Sequence, residues 1–244
     1  MKNGIWAKNK MRKRLLKIYS ALATSFGKQQ WWPAEGAFEV VVGAVLTQNT
    51  NWKNVEKAIA NLKKARMLDA RRIANADLRK LQVLIKPSGF YRQKAKRLRE
   101  VAREYLHLRK SETTTELRKQ LLSINGVGEE TADSILLYAL NRPVFVIDAY
   151  TRRFVERHEL IDGASGTSER SAAQRNSDSA RAKTYSDYQK FFDRNLPKSS
   201  SLYNNYHALI VELGKKYCRK KAECESCPLR FDLSKRRFEE LTTS

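Results

Sequence analysis

Apolar residues return at intervals of three and four along nearly the whole chain, as in Leu15, Ile18 and Leu22 and again in Leu98, Val101 and Tyr105. Alternating apolar and polar runs, which would mark half-buried strands, are nearly absent. Side chains three and four residues apart share one face of a helix, so the pattern predicts an all-α fold. Helices are expected near 11–26, 37–49, 51–65, 78–85, 90–108, 114–123, 129–141, 149–159, 185–195 and 201–217. The breaks coincide with helix-ending residues: PSG at 87–89, NGVG at 125–128 and NRP at 141–143. Residues 163–183, GASGTSERSAAQRNSDSARAK, offer almost nothing to bury and read as a flexible insertion. No internal repeat is visible.

A length of 244 residues fits one domain with an appendage or two small intimate domains. Charge says more. Lys and Arg number 48 against 26 Asp and Glu, a net +22, and a field of that sign asks for a polyanion. Phosphates suit it, because Lys and Arg gain by displacing condensed counterions. A membrane suits it less: no run of about 18 apolar residues exists. The N-terminal MKNGIWAKNKMRKRLLKIYS is basic but lacks the apolar core of a secretory signal. Nucleic acid is the expected partner, with a merely basic soluble protein as the alternative. The only cysteines, Cys218, Cys224 and Cys227, lie together. An odd number in so tight a cluster is a poor disulfide framework and a better metal site, which places the chain in a reducing cytoplasm.

One stretch concentrates the chemistry: INGVGEETADSILLYALNRPVFVID, Ile124 to Asp148. Glycines at 126 and 128 permit positive φ and close approach to a ligand, and the N–H groups of the helix starting near Glu129 present partial positive charge. A DNA phosphate would sit there without any side chain; an ordinary helix–turn–helix connection would use the same residues. Asp148 follows the apolar run Val144–Ile147 and is suited to cap the helix starting at Ala149.

The segment SINGVGEETADSILLYALNRPVFVIDAYTRRF resembles the helix-hairpin-helix motif of the endonuclease III superfamily of DNA base-excision glycosylases, including the spacing from hairpin to aspartate. FEVVVGAVLTQNTNWKNVEKAI (38–59) resembles the family's early helices, and YHALIVELGKKYCRKKAECESCPL (206–229) its C-terminal segment. WWPAEGAFEVVVGAVLTQNTNW together with KPSGFYRQKAKRL is especially similar to the bacterial 3-methyladenine DNA glycosylase branch. The resemblance spans roughly 30–229, apart from the insertion.

The resemblance implies two helical domains around a DNA-binding cleft, 36–142 ending in the hairpin helix and 1–35 joined to 143–244. It implies a monomer that binds double-stranded DNA, flips out a damaged base and hydrolyses its N-glycosidic bond. Asp148 would be catalytic, since a poorly solvated carboxylate stabilises oxocarbenium character on the sugar and orients water. Relatives that also nick the backbone carry a nucleophilic lysine where this chain has Glu130, so a monofunctional enzyme is expected. Rival readings are a bifunctional glycosylase for oxidised pyrimidines using another lysine, and a catalytically silent DNA-binding protein.

Trp31, Trp32, Pro33 and Trp52 match positions of a base pocket for an alkylated, cationic purine, with Lys215 nearby; packing is the ordinary alternative for each tryptophan. Gly126, Val127, Gly128 and Thr131 would meet DNA at the hairpin. Gln48 or Asn49 would fill the hole left by the flipped base, although capping and turn formation are equally ordinary uses. Cluster-bearing relatives space four cysteines C-x6-C-x2-C-x5-C, whereas this chain has Cys218-x5-Cys224-x2-Cys227 and then Leu233. Asp232 lies one residue early, and His207 is several helical turns from Cys218. A [4Fe–4S] cluster, a zinc site and a metal-free remnant all stay open.

Overall fold

The computed structural model describes residues 2–29, 32–108, 112–161 and 183–243. The expectations for Trp31 and for the insertion at 163–183, Lys183 excepted, lie outside them. The described residues form twelve α-helices and no strand. None of these helices is long and apolar enough to cross a membrane. Two compact units emerge, one drawn from Trp32–Arg142 and the other from Met1–Trp31 with Pro143–Ser244.

The first unit holds α2 (Ala37–Leu46), α3 (Trp52–Lys64), α4 (Ala70–Ala74), α5 (Leu78–Ile85), α6 (Tyr91–His107), α7 (Thr114–Ser123) and α8 (Glu129–Ser134). Helix α2 is apolar apart from Glu39, which pairs with Lys63 at 2.9 Å, and every residue from Glu39 to Leu46 is buried, as expected of a central helix. Asn51, Asp69 and Asp77 cap α3, α4 and α5 with their side chains, and Thr113 with Glu116 forms a capping box on α7. The segment expected as one helix over 129–141 is divided: α8 ends at Ser134 and a π-helical turn, Ile135–Ala139, follows. The wider turn closes where Asn141 takes φ 53° just before Pro143, and π turns of this kind recur at functional sites.

The second unit holds α1 (Lys2–Phe26), α9 (Ala149–Arg157), α10 (Tyr185–Asn195), α11 (Ser200–Lys216) and α12 (Lys235–Thr242). Helix α1 starts nine residues before its expected position, because Lys and Arg propagate a helix without supplying apolar spacing. Helices α4 and α12 escaped the periodicity for a related reason: one spans a single turn, and the other is mostly polar, capped by Ser234 and braced by Arg237 and Glu240 at 2.9 Å. Tyr206, fully buried on α11, donates its hydroxyl to the Leu15 carbonyl on α1 at 2.9 Å. Val144–Ile147 runs buried through this core outside any helix or strand. Its backbone is satisfied by side chains instead: Gln189 donates to the Phe145 carbonyl at 3.1 Å, and the Ile147 N–H donates to the Tyr185 hydroxyl at 3.3 Å. Phe145 stacks on Phe192 with centroids 3.8 Å apart, which fixes the exit of the run at Asp148.

Candidate active site

Asp148 is the N-cap of α9, with φ −92° and ψ −178°, and its Oδ1 accepts from the Thr151 N–H at 2.7 Å. The capping role anticipated from the sequence is therefore real. It uses one carboxylate oxygen. The other, Oδ2, lies 3.5 Å from Nε2 of His207 on α11, with side-chain exposures of 15% and 5%. Burial alone would raise the Asp148 pKa, but attraction to His207, with hydrogen bonding from Thr151, holds it below its ordinary value. The carboxylate is thus ionised at neutral pH. His207 reaches it because α11 and α9 approach closely: at Gly214, two turns further along the same face, a Cβ would collide with the Tyr150 ring. The sequence reading considered His207 only as a remote metal ligand. The signal it passed over was a lone histidine on a helix otherwise buried through Tyr206, Ala208, Leu209 and Ile210.

At the hairpin, Gly126 has φ +80°, and the Arg97 guanidinium fills the place a Cβ would take. Gly128 does not need positive φ, contrary to expectation; it is an extended N-cap, φ −87° and ψ 176°, with open space where a side chain would go. The Val127 side chain is buried and its N–H bonds the Ile124 carbonyl at 3.0 Å, so its apolar group anchors the turn. Arg118 on α7 grips Asp133 at 2.7 Å and Glu129 at 3.2 Å, tying together the two arms of the hairpin. Glu130 is exposed in the first turn of α8, where a carboxylate complements the helix dipole.

Gln48 is engaged with this hairpin. Its amide donates to Thr131 Oγ1 at 2.8 Å and to the Gly126 carbonyl at 3.3 Å, and accepts from Arg97. Thr131 is buried in consequence, and what it and Val127 can offer a ligand is backbone. Asn49 is exposed beside Gln48, with φ 50°.

Trp32, half-buried, packs its indole on the bare backbone of Gly43. Its ring lies 5.2 Å from Tyr138 and 5.5 Å, edge to face, from Trp52. Trp52 Nε1 donates to Glu56 Oε1 at 2.9 Å. Tyr138 went unnoticed in the sequence because the π turn places it, and helical spacing does not reveal π turns. Pro33 is exposed, and Lys215 is exposed in the last turn of α11, in the other unit.

Residues 42–179 match the HhH-GPD superfamily of base excision DNA repair proteins. The chain belongs to that family. A protein of Methanocaldococcus jannaschii, provisionally named a DNA repair glycosylase, is 49% identical over 230 residues, covering 91% of this chain and 96% of the relative. The solved 3-methyladenine DNA glycosylase of H. pylori, bound to 1,N6-ethenoadenine, is 29% identical with a TM-score of 0.63, covering 86% of this chain and 97% of that one. An endonuclease III in a non-covalent DNA complex superimposes with a TM-score of 0.69 at 17% identity, over 94% of this chain and 97% of the other, a likeness of fold. This HhH-GPD chain is a DNA glycosylase.

The glycosylase's three cysteines do not make a site for a [4Fe–4S] cluster. Leu233 stands where the fourth ligand would fall, and it borders, with the three cysteines, Leu213 and Leu241, an internal space of about 20 Å³. Arg157 directs its guanidinium onto Cys218 Sγ at 3.1 Å. Burial pushes the Cys224 thiol up and the Cys227 thiol up to about 11. Asp232, the candidate oxygen ligand, is already committed to Arg14 at 2.7 Å and His158 at 2.8 Å. Burial opposes its charge, yet those partners hold its carboxyl below the ordinary value. Among the described residues no group of three His, Cys, Asp or Glu is arranged to hold any metal, zinc included.

Proposed function

We propose that this glycosylase is monofunctional and releases alkylated purines from double-stranded DNA. The observation that carries the first part is Glu130, exposed at the position where strand-nicking relatives have a lysine. A carboxylate cannot form a Schiff base with C1′. The second part is supported by the cluster of Trp32, Trp52 and Tyr138, and by the similarity to a protein named as a 3-methyladenine glycosylase. Alkylation at N3 or N7 makes a purine cationic, so indole and phenol faces attract it, and the base departs neutral without prior protonation.

In this reading Asp148, ionised and largely shielded from water, stabilises positive charge growing on the deoxyribose as the N-glycosidic bond breaks. A water adds at C1′, its proton is lost to solvent or to the carboxylate, and an abasic site remains. The test has two parts. Duplex treated with dimethyl sulfate is incubated with the protein, and released bases are identified by mass spectrometry; methylated purines are expected. Denaturing gels with and without alkali, alongside borohydride trapping, should show alkali-labile sites and no trapped complex. Alkali-independent nicking with a trapped adduct would overturn the monofunctional assignment and make Lys215 the first nucleophile to test.

A further inference from the structure

We propose that His207 is a positioning residue of this site, holding the second oxygen of Asp148 while the Thr151 N–H holds the first. The proposal rests on the reading of Asp148 as the catalytic carboxylate. A carboxylate fixed by one hydrogen bond can still rotate about its terminal torsion, which is broad and roughly two-fold. Thr151 secures Oδ1 with a hydrogen bond at 2.7 Å, and the Nε2 of His207 stands at ion-pair distance, 3.5 Å, from Oδ2, outside hydrogen-bond geometry and on a different helix. The two contacts engage different oxygens of the carboxylate.

The chemistry of the partner matters as much as its place. A carboxylate with 15% exposure has lost most of its hydration, and an unpaired buried charge neutralises itself by taking up a proton. A protonated Asp148 would offer nothing to a cationic sugar. The imidazole of His207 attracts the carboxylate and favours its ionised form. The backing is rigid: α11 is capped by Ser199, which accepts from the Leu202 N–H at 3.2 Å, and Gly214 is closed against Tyr150. His207 is itself 4% exposed as a residue, a depth at which a histidine is held by its surroundings.

The experiment is single-turnover base release on a panel of duplexes carrying methylated purines, ethenoadenine, uracil or a G·T mismatch, using the member that the wild type excises fastest. His207→Leu should slow release by about 10- to 100-fold, with the dissociation constant for undamaged duplex and the melting temperature nearly unchanged. His207→Gln, whose amide reaches the Nε2 position, should recover most of the rate, whereas the shorter His207→Asn should not. In an Asp148→Asn background His207→Leu should cost nothing further, since nothing remains to align. A merely structural histidine would leave that cycle additive and would make Gln and Asn alike. If the leucine variant fails to fold, the Gln and Asn pair decides the matter. Wild-type rates for His207→Leu, equal rates for Gln and Asn, or a full effect in the Asp148→Asn background would each overturn the proposal. Wild-type release by Asp148→Asn alone would instead remove the catalytic reading of Asp148, and the proposal with it.

Discussion

Gly126 and Gly128 flank the same turn under different constraints, and substitution should separate them. Ala at 126 must hold φ near +80° and displace the Arg97 guanidinium. The left-handed backbone alone costs about 1–2 kcal/mol. Calorimetry on Gly126→Ala should give a melting temperature lower by roughly 3–8 °C, by the usual scaling for a chain of this size. Gly128→Ala, at φ −87° with open space, should stay within about 1 °C of wild type. Equal losses would mean that the hairpin is not held as described. At this scale the sequence was readable where a residue's role follows from its own backbone. The cap at Asp148 lay in the order of residues, Val-Phe-Val-Ile-Asp before a helix start. The pairing of Asp148 with His207 did not, because 59 positions separate them and only the packing of α11 on α9 brings them together.

Among the elements, the end of α2 and the turn at 86–89 are joined by one buried side chain. Lys94, on α6 and 2% exposed, donates to the Leu46 carbonyl at 2.8 Å, to Thr50 Oγ1 at 2.7 Å and to the Ser88 carbonyl at 2.7 Å. Thr50 in turn donates to the Ser88 carbonyl. Beyond this joint lie Gly89, at φ 66°, and the exposed Phe90, at φ 45°. Lys94→Met keeps the bulk and removes the donor, leaving buried carbonyls unsatisfied, so a loss of about 2–4 kcal/mol is expected in urea denaturation. The pH dependence has a definite sign. Burial, with the nearby Arg97 charge, lowers the Lys94 pKa to about 8, against about 10.4 for an unfolded lysine. Between those values the unfolded chain binds a proton that the folded chain releases, so this group makes stability rise with pH. The gap between wild type and Lys94→Met should therefore be wider at pH 9.5 than at pH 7.5; a constant gap would show that Lys94 does not titrate in that window. No sequence pattern announces such a lysine. KPSGFYRQKAKRL reads as a break followed by a basic, solvated helix, and the single lysine turned inward looks like its neighbours. The π turn that carries Tyr138 hid for a similar reason, since ILLYAL at 135–140 is as apolar as an ordinary buried helix and residue spacing does not mark the wider turn.

For the whole molecule, net charge was legible at once and packing could not have altered it. The +22 balance predicts binding dominated by phosphate contacts, with slight sequence preference. Each phosphate neutralised by Lys or Arg adds about 0.9 to the slope of log affinity against log salt on duplex DNA. With 6–10 such contacts, affinity for undamaged duplex should fall on the order of 10³–10⁵-fold between 50 and 200 mM salt. The hairpin would enter this balance differently if it meets DNA as the resemblance implies, because it would do so with neutral backbone N–H groups at the start of α8 rather than cationic side chains. Gly126→Ala should thus weaken binding at every salt concentration while leaving the slope unchanged. Replacing an exposed arginine such as Arg92 on α6 tests the other component: if it meets a phosphate, the slope should drop by about 1. Fluorescence anisotropy across a salt series measures both quantities on one duplex. A flat salt dependence in the wild type would detach the +22 charge from nucleic acid, and a slope altered by Gly126→Ala would mean that the turn acts through charged neighbours, Arg97 foremost.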